Sequence, residues 1–502
     1  MKNTLHRYVP DGYRPYVGSS DYMHHERKLV PEVLAHHPAK MLADISGVFD
    51  AIPIRDGMTL SFHHHLRNGD YVFNMVLDEI KRRNLKNMIL APSAIFPNND
   101  CLAPLIEAGN VVGIITNYLN GAVAKTINDG YLRDHLIMET HGGRARSIEA
   151  GELAIDVCFA AAPCTDKAGN ANGIDGPSAC GSLGYILPDV KYAKTKVIVT
   201  DHLVSKVEQK EIDGKYIDYV VVVPSIGDQA GIVSGTTKIT KDPIGLKIAR
   251  DTAQLLDEAG ALVDGFSMQT GAGGISLAVT DEVRKIMEAK KIKASFASGG
   301  ITAYFVSLLE KSMIDDLYDV QCFDLEAVRS YRVNPNHHGM SSSEYANPYD
   351  PKVVVDHLDF VILGATEIDL DFNVNVTTSS TGQIMGGSGG HADAAHGARI
   401  TVITTNLLKS RLPIIKEHVT TITTPGEDVD VLVTEWGIAI NPRREDLKNA
   451  LKNTSLKIVP IEELLKLAHS IAGVPNTLNH TDRVVGVVKY RDGTIIDTLY
   501  QW

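Results

Sequence analysis

Between Ala261 and Ser312 the chain twice runs from an apolar stretch through glycines into an amphipathic stretch. The first unit is Ala261 to Gln269, the turn TGAGG and then Ala278 to Lys290. The second is Ile292 to Ala297, a glycine turn at Ser298 to Gly300 and then Thr302 to Ser312. A strand that ends in glycine and leads into a helix is the unit of an α/β layer, because the helix returns the chain to begin a parallel neighbour. In open sheets of this kind ligands sit outside the carboxyl ends of the strands, where such turns gather. The first half alternates in the same way: the spacing predicts a helix over Val72 to Arg83 and strands at Asn87 to Leu90, Val111 to Ile115 and Val197 to Thr200.

At 502 residues the chain exceeds a single core, since domains hold roughly 100–200 residues. A strand-rich segment, Tyr216 to Pro224, is followed by SIGDQAGIVSGTTKITKDP, and a new helix begins near Ile244 and stops at Gly260. The expected organisation is two tandem open α/β domains, residues 1–236 and 237–502. Val484 to Tyr490 and Thr494 to Leu499, joined by Asp492-Gly493, predict a closing hairpin.

A net charge of −12 disfavours a nucleic-acid partner, which needs a basic face. No apolar run approaches about 18 residues and the N-terminus lacks the apolar core of a signal peptide, so no membrane segment and a cytoplasmic location are expected. The five cysteines are scattered with no C-x-x-C pair, which indicates neither a disulfide framework nor a zinc site; reduced, mostly buried thiols and no bound metal are expected.

The run Thr381 to Arg399, TGQIMGGSGGHADAAHGAR, follows the strand-like Val374 to Thr378 and precedes the apolar Ile400 to Thr404. Gly386, Gly387, Gly389 and Gly390 carry no Cβ, so a ligand or another backbone can approach them closely. GGSGG formally matches the serine nucleophile elbow, with Ser388 as nucleophile and Asp428 and His469 as arbitrary partners. It also contains G-x-G-x-x-A, without the acidic residue that would hold a ribose.

His63, His64 and His65 cannot all face one metal from a strand, because neighbours point to opposite sides. In a loop they can bond an anion with Arg67 adding fixed charge, or simply face solvent. His337 and His338, in NPNHHG, read as a solvated loop. Glu435 ends the strand Val429 to Val433, where a carboxylate can serve as acid, base or nucleophile, or pair with Arg443 or Arg444 at the start of the next helix. Those two arginines also suit a polyanion.

Taken together these segments resemble the coenzyme A transferase superfamily and, across nearly all of the chain, its citrate lyase alpha-subunit branch. DVCFAAAPCTDKAGNANG is similar to the family's D-x-A…A-D-x-x-G-N pattern at Asp166, Gly169 and Asn170. SMQTGAGGISLAV resembles its glycine turn, G-x-G-G-x-x-D matches Gly387, Gly389, Gly390 and Asp393, and VTEWGIA resembles its T-E-aromatic-G element. Many members carry a glutamate that attacks the acyl thioester; Gly299, in FASGGIT, stands where it is expected.

The resemblance implies tandem domains of the CoA-transferase type and a transferase that exchanges acetyl for citryl on a CoA-like thioester. It implies direct attack by the substrate carboxylate, with no covalent glutamyl thioester. The thioester would be carried on the CoA-derived arm of an acyl carrier protein, with no permanently bound cofactor, and a separate lyase subunit would complete a homo-oligomeric complex. Gly389, Gly390 and Glu435 are the catalytic candidates. His63, His64, His65, Arg67, Arg443 and Arg444 are the candidates for citrate, and Gly271, Gly273, Gly274, Gly387, Gly389, Gly390 and Asp393 for the CoA arm. A related acid such as citramalate, or a thioester hydrolase using Ser388, are the alternatives.

Overall fold

The computed structural model describes residues 1–19, 29–134, 136–233, 239–271, 273–476 and 479–502. The boundary expected between residues 236 and 237 lies outside the described residues. The chain is α/β, built on two large sheets. In spatial order the first holds Lys40–Leu42, Tyr219–Val222, Thr195–Thr200, Val157–Ala161, Thr59–Phe62, Met88–Pro92, Val111–Thr116, Leu136–Met138, Val484–Lys489 and Ile495–Tyr500. The second holds His337–Gly339, Ile314–Cys322, Ala294–Ile301, Phe266–Thr270, Phe360–Leu363, Ile400–Thr404, Val431–Thr434 and Gly437–Ile440. All neighbours are parallel except one hairpin closing each sheet. The predicted hairpin 484–500 forms, but on the first sheet, where Val487 pairs with Ile137, so a cut at 236/237 separates those strands from their sheet.

Both sheets reverse direction at the same place in their order. Thr59–Phe62 has later strands on either side of it, and so does Phe266–Thr270. These are topological switch points, where adjacent connections part to opposite faces and leave a crevice at the carboxyl ends. The helices that cover the sheets follow from their apolar spacing. Helix Val72–Arg82 buries Val72, Phe73, Val76, Leu77 and Ile80, a stripe at helical period. Helix Pro243–Glu258 starts on a proline behind Asp242, whose carboxylate accepts from the Gly245 N–H.

The likeness of the halves extends to one turn built twice. Asp166 Oδ1 accepts from the N–H groups of Ala168 and Asn170, Asn170 Nδ2 donates back to Asp166 Oδ2 at 3.0 Å, and Asn170 Oδ1 accepts from Gly214. Asp369 Oδ1 accepts from Asp371 and Asn373, Asn373 Nδ2 donates to Asp369 Oδ2 at 3.2 Å, and Asn373 Oδ1 accepts from Gly426. The Asp166, Gly169 and Asn170 motif is thus a turn scaffold.

Two local expectations change. His337 and His338 lie in an edge strand paired with Leu317 and Tyr318, and His337 is buried between Asp319 and Ser330. Ser298, Gly299 and Gly300 belong to a strand and not to a turn; the register slips between Gly299 and Gly300, as at a bulge.

Candidate active site

The carboxyl ends of the two sheets face one another. After Thr59–Phe62 the chain turns through His63, His64 and His65 to Arg67, which holds the left-handed φ of 54°. A non-glycine residue there stores strain, of order 1 kcal/mol, that packing must hold. His64 Nδ1 lies 2.6 Å from Ser93 Oγ, beyond the next strand, and the carbonyl of His64 accepts from Gln321 Nε2 of the second sheet at 2.8 Å. The Arg67 guanidinium stacks 4.3 Å from the Phe323 ring and 5.9 Å from Phe96. The histidine loop therefore bridges the sheets. On the opposite wall Ser298 Oγ donates to Gln269 Oε1, and Gln269 Nε2 donates to the Tyr345 hydroxyl. Tyr185 packs between the rings of His64 and His141 at 5.2 and 4.3 Å.

This cleft holds polar atoms that the chain leaves unpaired. Among the described residues, His63 Nδ1 and Nε2, Arg67 Nη1, His141 Nδ1, Gln321 Oε1 and Thr270 Oγ1 are buried without a hydrogen-bond partner. Native interiors pair nearly all such groups, so a concentration of exceptions marks a place where something else supplies the bonds. The charged form of every ring is disfavoured. Burial, then the neighbouring His65, His64 and Arg144, hold His63 well below the ordinary imidazole range; burial pushes His65 down to about 3. His64 is lowered first by burial, then by His141 and Arg67; His141 is lowered to about 3, first by burial, then by Arg144. Neutral imidazoles beside a fixed guanidinium give donors and one positive charge without mutual repulsion. Among the described residues the ionisable groups acting on Arg67 are the phenols of Tyr185 and Tyr118, not carboxylates.

The structure gathers part of the predicted site and disperses the rest. His63, His64, His65 and Arg67 come together with Gln269, Gln321, His141, Tyr185 and Tyr345. Sequence reasoning missed these five because single polar or aromatic residues far apart carry no spacing signal. Gly271 and Gly273 follow Gln269 into helix Gly274–Lys290, and a Cβ added to either would meet nothing nearer than 3.6 and 3.8 Å, respectively. Glu435 lies at the end of the strand three places from Phe266–Thr270, roughly 14 Å across the sheet, and accepts from the Leu407 N–H. Arg443 pairs with Glu427, and Arg444 with Asp430 and Asp446. None of the three joins the cleft group.

The glycine run is close-packed against the chain itself, the second of the two neighbours its missing Cβ atoms allowed. A Cβ on Gly387 would lie 2.1 Å from the Asn117 carbonyl, and one on Gly390 2.5 Å from the Tyr345 hydroxyl. Gly389, at φ 52°, already donates its N–H to Asn117. At Gly387 and Gly389 the partner that approaches this backbone is the first half of the protein. Gly184 does the reciprocal, a Cβ there falling 2.1 Å from the Met340 carbonyl and 2.8 Å from that of Val320. Asp393 faces inward, accepting from Thr140 Oγ1 and the Gly142 N–H, with Arg491 at 3.5 Å.

The serine nucleophile that the sequence formally offers is not equipped. Ser388 accepts only a long bond from the Ala392 N–H; the nearby His391 is committed to Thr424 and Gly364. Asp428 bonds Tyr490 and His396, so no triad assembles. Gly299 sits at φ 102°, and a Cβ there would fall 2.9 Å from Gln269 Cδ, so a side chain is strained at the position where the resemblance leads one to expect an attacking glutamate.

The profile of the family described as "Citrate lyase, alpha subunit" matches residues 38–502. A citrate lyase alpha chain of Haemophilus influenzae is 44% identical over 449 residues, 89% of this chain and 90% of its own. One from Escherichia coli is 43% identical over 466 residues, 92% of this chain and 91% of its own. A Streptococcus mutans structure described as the alpha subunit of citrate lyase in complex with citrate superposes with a TM-score of 0.95 at 41% identity, covering 99% of both chains.

Proposed function

The chain belongs to the family of citrate lyase alpha subunits, and from that premise we propose that it exchanges acetyl for citryl on a CoA-like thioester, releasing acetate. The observation that carries the reading is the Arg67 guanidinium, held over Phe323 with a buried, unpaired Nη1 and neutral histidines around it. Such a group is costly to bury alone and is suited to a carboxylate that arrives with the substrate. The Streptococcus mutans relative binds citrate.

In this scheme a citrate carboxylate oxygen attacks the acetyl carbon. A C–O bond forms, the C–S bond breaks, and a mixed anhydride and a thiolate result. The thiolate then attacks the citryl carbonyl; a C–S bond forms, the bridging C–O bond breaks, and acetate leaves with the bridging oxygen. No side-chain nucleophile is consumed, which suits the glycine at 299. The protein's part is alignment of two bound reactants and donors for the tetrahedral oxyanions. Arg67, His63 and His64 serve the citrate carboxylates, while the open positions at Gly271 and Gly273, ahead of helix Gly274–Lys290, leave room for the thioester arm. The natural carrier is an acyl carrier protein with a CoA-derived arm, and a lyase subunit cleaves the citryl product. The test mixes purified chain with acetyl-CoA and a panel of carboxylic acids and identifies the thioester formed by mass spectrometry. Citryl-CoA is expected; free CoA as the sole product, or a preference for another acid, overturns the assignment.

A further inference from the structure

Outside the cleft, one buried cluster has no role in the transfer. Asp319 and Cys322, on strand Ile314–Cys322, meet His337 of the edge strand: Cys322 Sγ lies 2.9 Å and His337 Nε2 3.1 Å from Asp319 Oδ2. The three offer one ligand atom each, all within 4.8 Å of one another, and all are buried. Asp319 Oδ1, on a fully buried side chain, has no hydrogen-bond partner among the described residues. That oxygen is the second observation. A carboxylate sealed from water with one oxygen unpaired is an expensive group, and a cation is what would complete it.

From this geometry we propose that Asp319, Cys322 and His337 form a binding site for a zinc-like divalent transition metal. One thiolate, one imidazole and one carboxylate make a mixed S, N, O set, which favours zinc or cobalt over the hard cations calcium and magnesium. Bonds of about 2.0–2.3 Å place tetrahedral ligands roughly 3.5 Å apart, so the present 2.9 and 3.1 Å need to open by only a few tenths of an ångström. Ser330 Oγ, 3.1 Å from His337 Nδ1, fixes the ring so that Nε2 faces the site. His337 also lines a cavity of about 450 Å³ with Glu211, Tyr331 and Gly339. Glu211 is already engaged by Tyr331, Leu183 and Gly173, so a water and not that carboxylate would take the fourth position. On binding, the metal–sulfur bond replaces the S–H bond and the thiol proton passes to solvent. The ion would fasten the edge strand to the strand whose Gln321 holds the His64 carbonyl.

The full chain, stripped by chelator and dialysed, is titrated with cobalt(II). One equivalent per chain is expected, with a thiolate-to-cobalt charge-transfer band that zinc(II) abolishes by displacement. Cys322→Ser should remove the band and weaken uptake at least tenfold, and His337→Asn should weaken it similarly. Cys101→Ser, at the exposed thiol, should change neither. Because binding releases a thiol proton, the wild-type affinity should fall about tenfold for each unit of pH below neutrality. This arm needs no variant to fold. Absence of the band in the wild type, its persistence in Cys322→Ser, or a pH-independent affinity overturns the site.

Discussion

Arg67→Met removes the cleft's fixed charge while keeping an apolar stem against Phe323. Methionine inherits the same left-handed backbone, so the strain at φ 54° is unchanged and drops out of the comparison. Truncating one member of a desolvated, hydrogen-bonded charge pair costs about 2–5 kcal/mol. Taking the lower half of that range, because Arg67 is only partly enclosed, citrate affinity should fall roughly 30- to 300-fold at about 1.4 kcal/mol per tenfold. The ligand-free protein should respond oppositely. Its guanidinium is lowered from its ordinary value by burial and no carboxylate among the described residues acts on it, so deleting it relieves a desolvated charge and the melting temperature should rise by a degree or more. Calorimetric titration with citrate, together with melting curves with and without it, reads both effects. A citrate Kd within threefold of wild type, or a destabilised apoprotein with unchanged affinity, would refute the view of Arg67 as a substrate group.

Gly387→Ala should destabilise by several kcal/mol, because the new methyl meets the Asn117 carbonyl at 2.1 Å, whereas Gly273→Ala, with 3.8 Å to its nearest neighbour, should leave the denaturation midpoint unchanged; equal effects contradict the close packing of Gly387 on Asn117. Ser388→Ala should keep most transferase activity, and a loss beyond tenfold points to a hydrolase-like serine. His63, His64, His65 and His141 are neutral when folded but protonate near pH 6.5 when unfolded. Stability present above that pH is therefore lost as pH falls below it, by up to about 1.4 kcal/mol per unit for each ring. Urea midpoints between pH 7 and 5 test this, and a flat profile refutes it. Gly299→Glu should not create a faster enzyme but a poorly folded one, since φ 102° and Gln269 both reject the side chain; a stable variant accumulating an enzyme-bound thioester shows the position to be permissive.

The α/β class was legible because strand, glycine and helix recur at short range, a signal that local periodicity carries. The helix at Val72 and the closing hairpin emerged within a residue or two for the same reason. The hairpin's sheet was not legible: pairing of Val487 with Ile137 spans the whole chain and leaves no trace in local pattern. The histidine loop was found because three adjacent histidines with an arginine are unusual, but its bridging bond from Gln321 is a single residue 257 positions away. The glycine run was noticed for a physical property, close approach, that the structure shows at Gly387 against the Asn117 carbonyl. A missing Cβ reports that something comes near, not whether it is a ligand or the chain's own Asn117 carbonyl. His337 looked solvated by its polar neighbours, yet its burial is set by strand pairing.

The central claim is that the substrate carboxylate, not a protein carboxylate, attacks the thioester. It is tested most directly by a single turnover of acetyl-CoA with citrate labelled with heavy oxygen in its carboxylates, followed by mass spectrometry of the acetate. Direct attack predicts that the acetate of this first turnover carries one heavy oxygen, delivered through the bridging position of the anhydride. Unlabelled acetate, with the heavy oxygen recovered in a carboxylate of the protein, would contradict the mechanism.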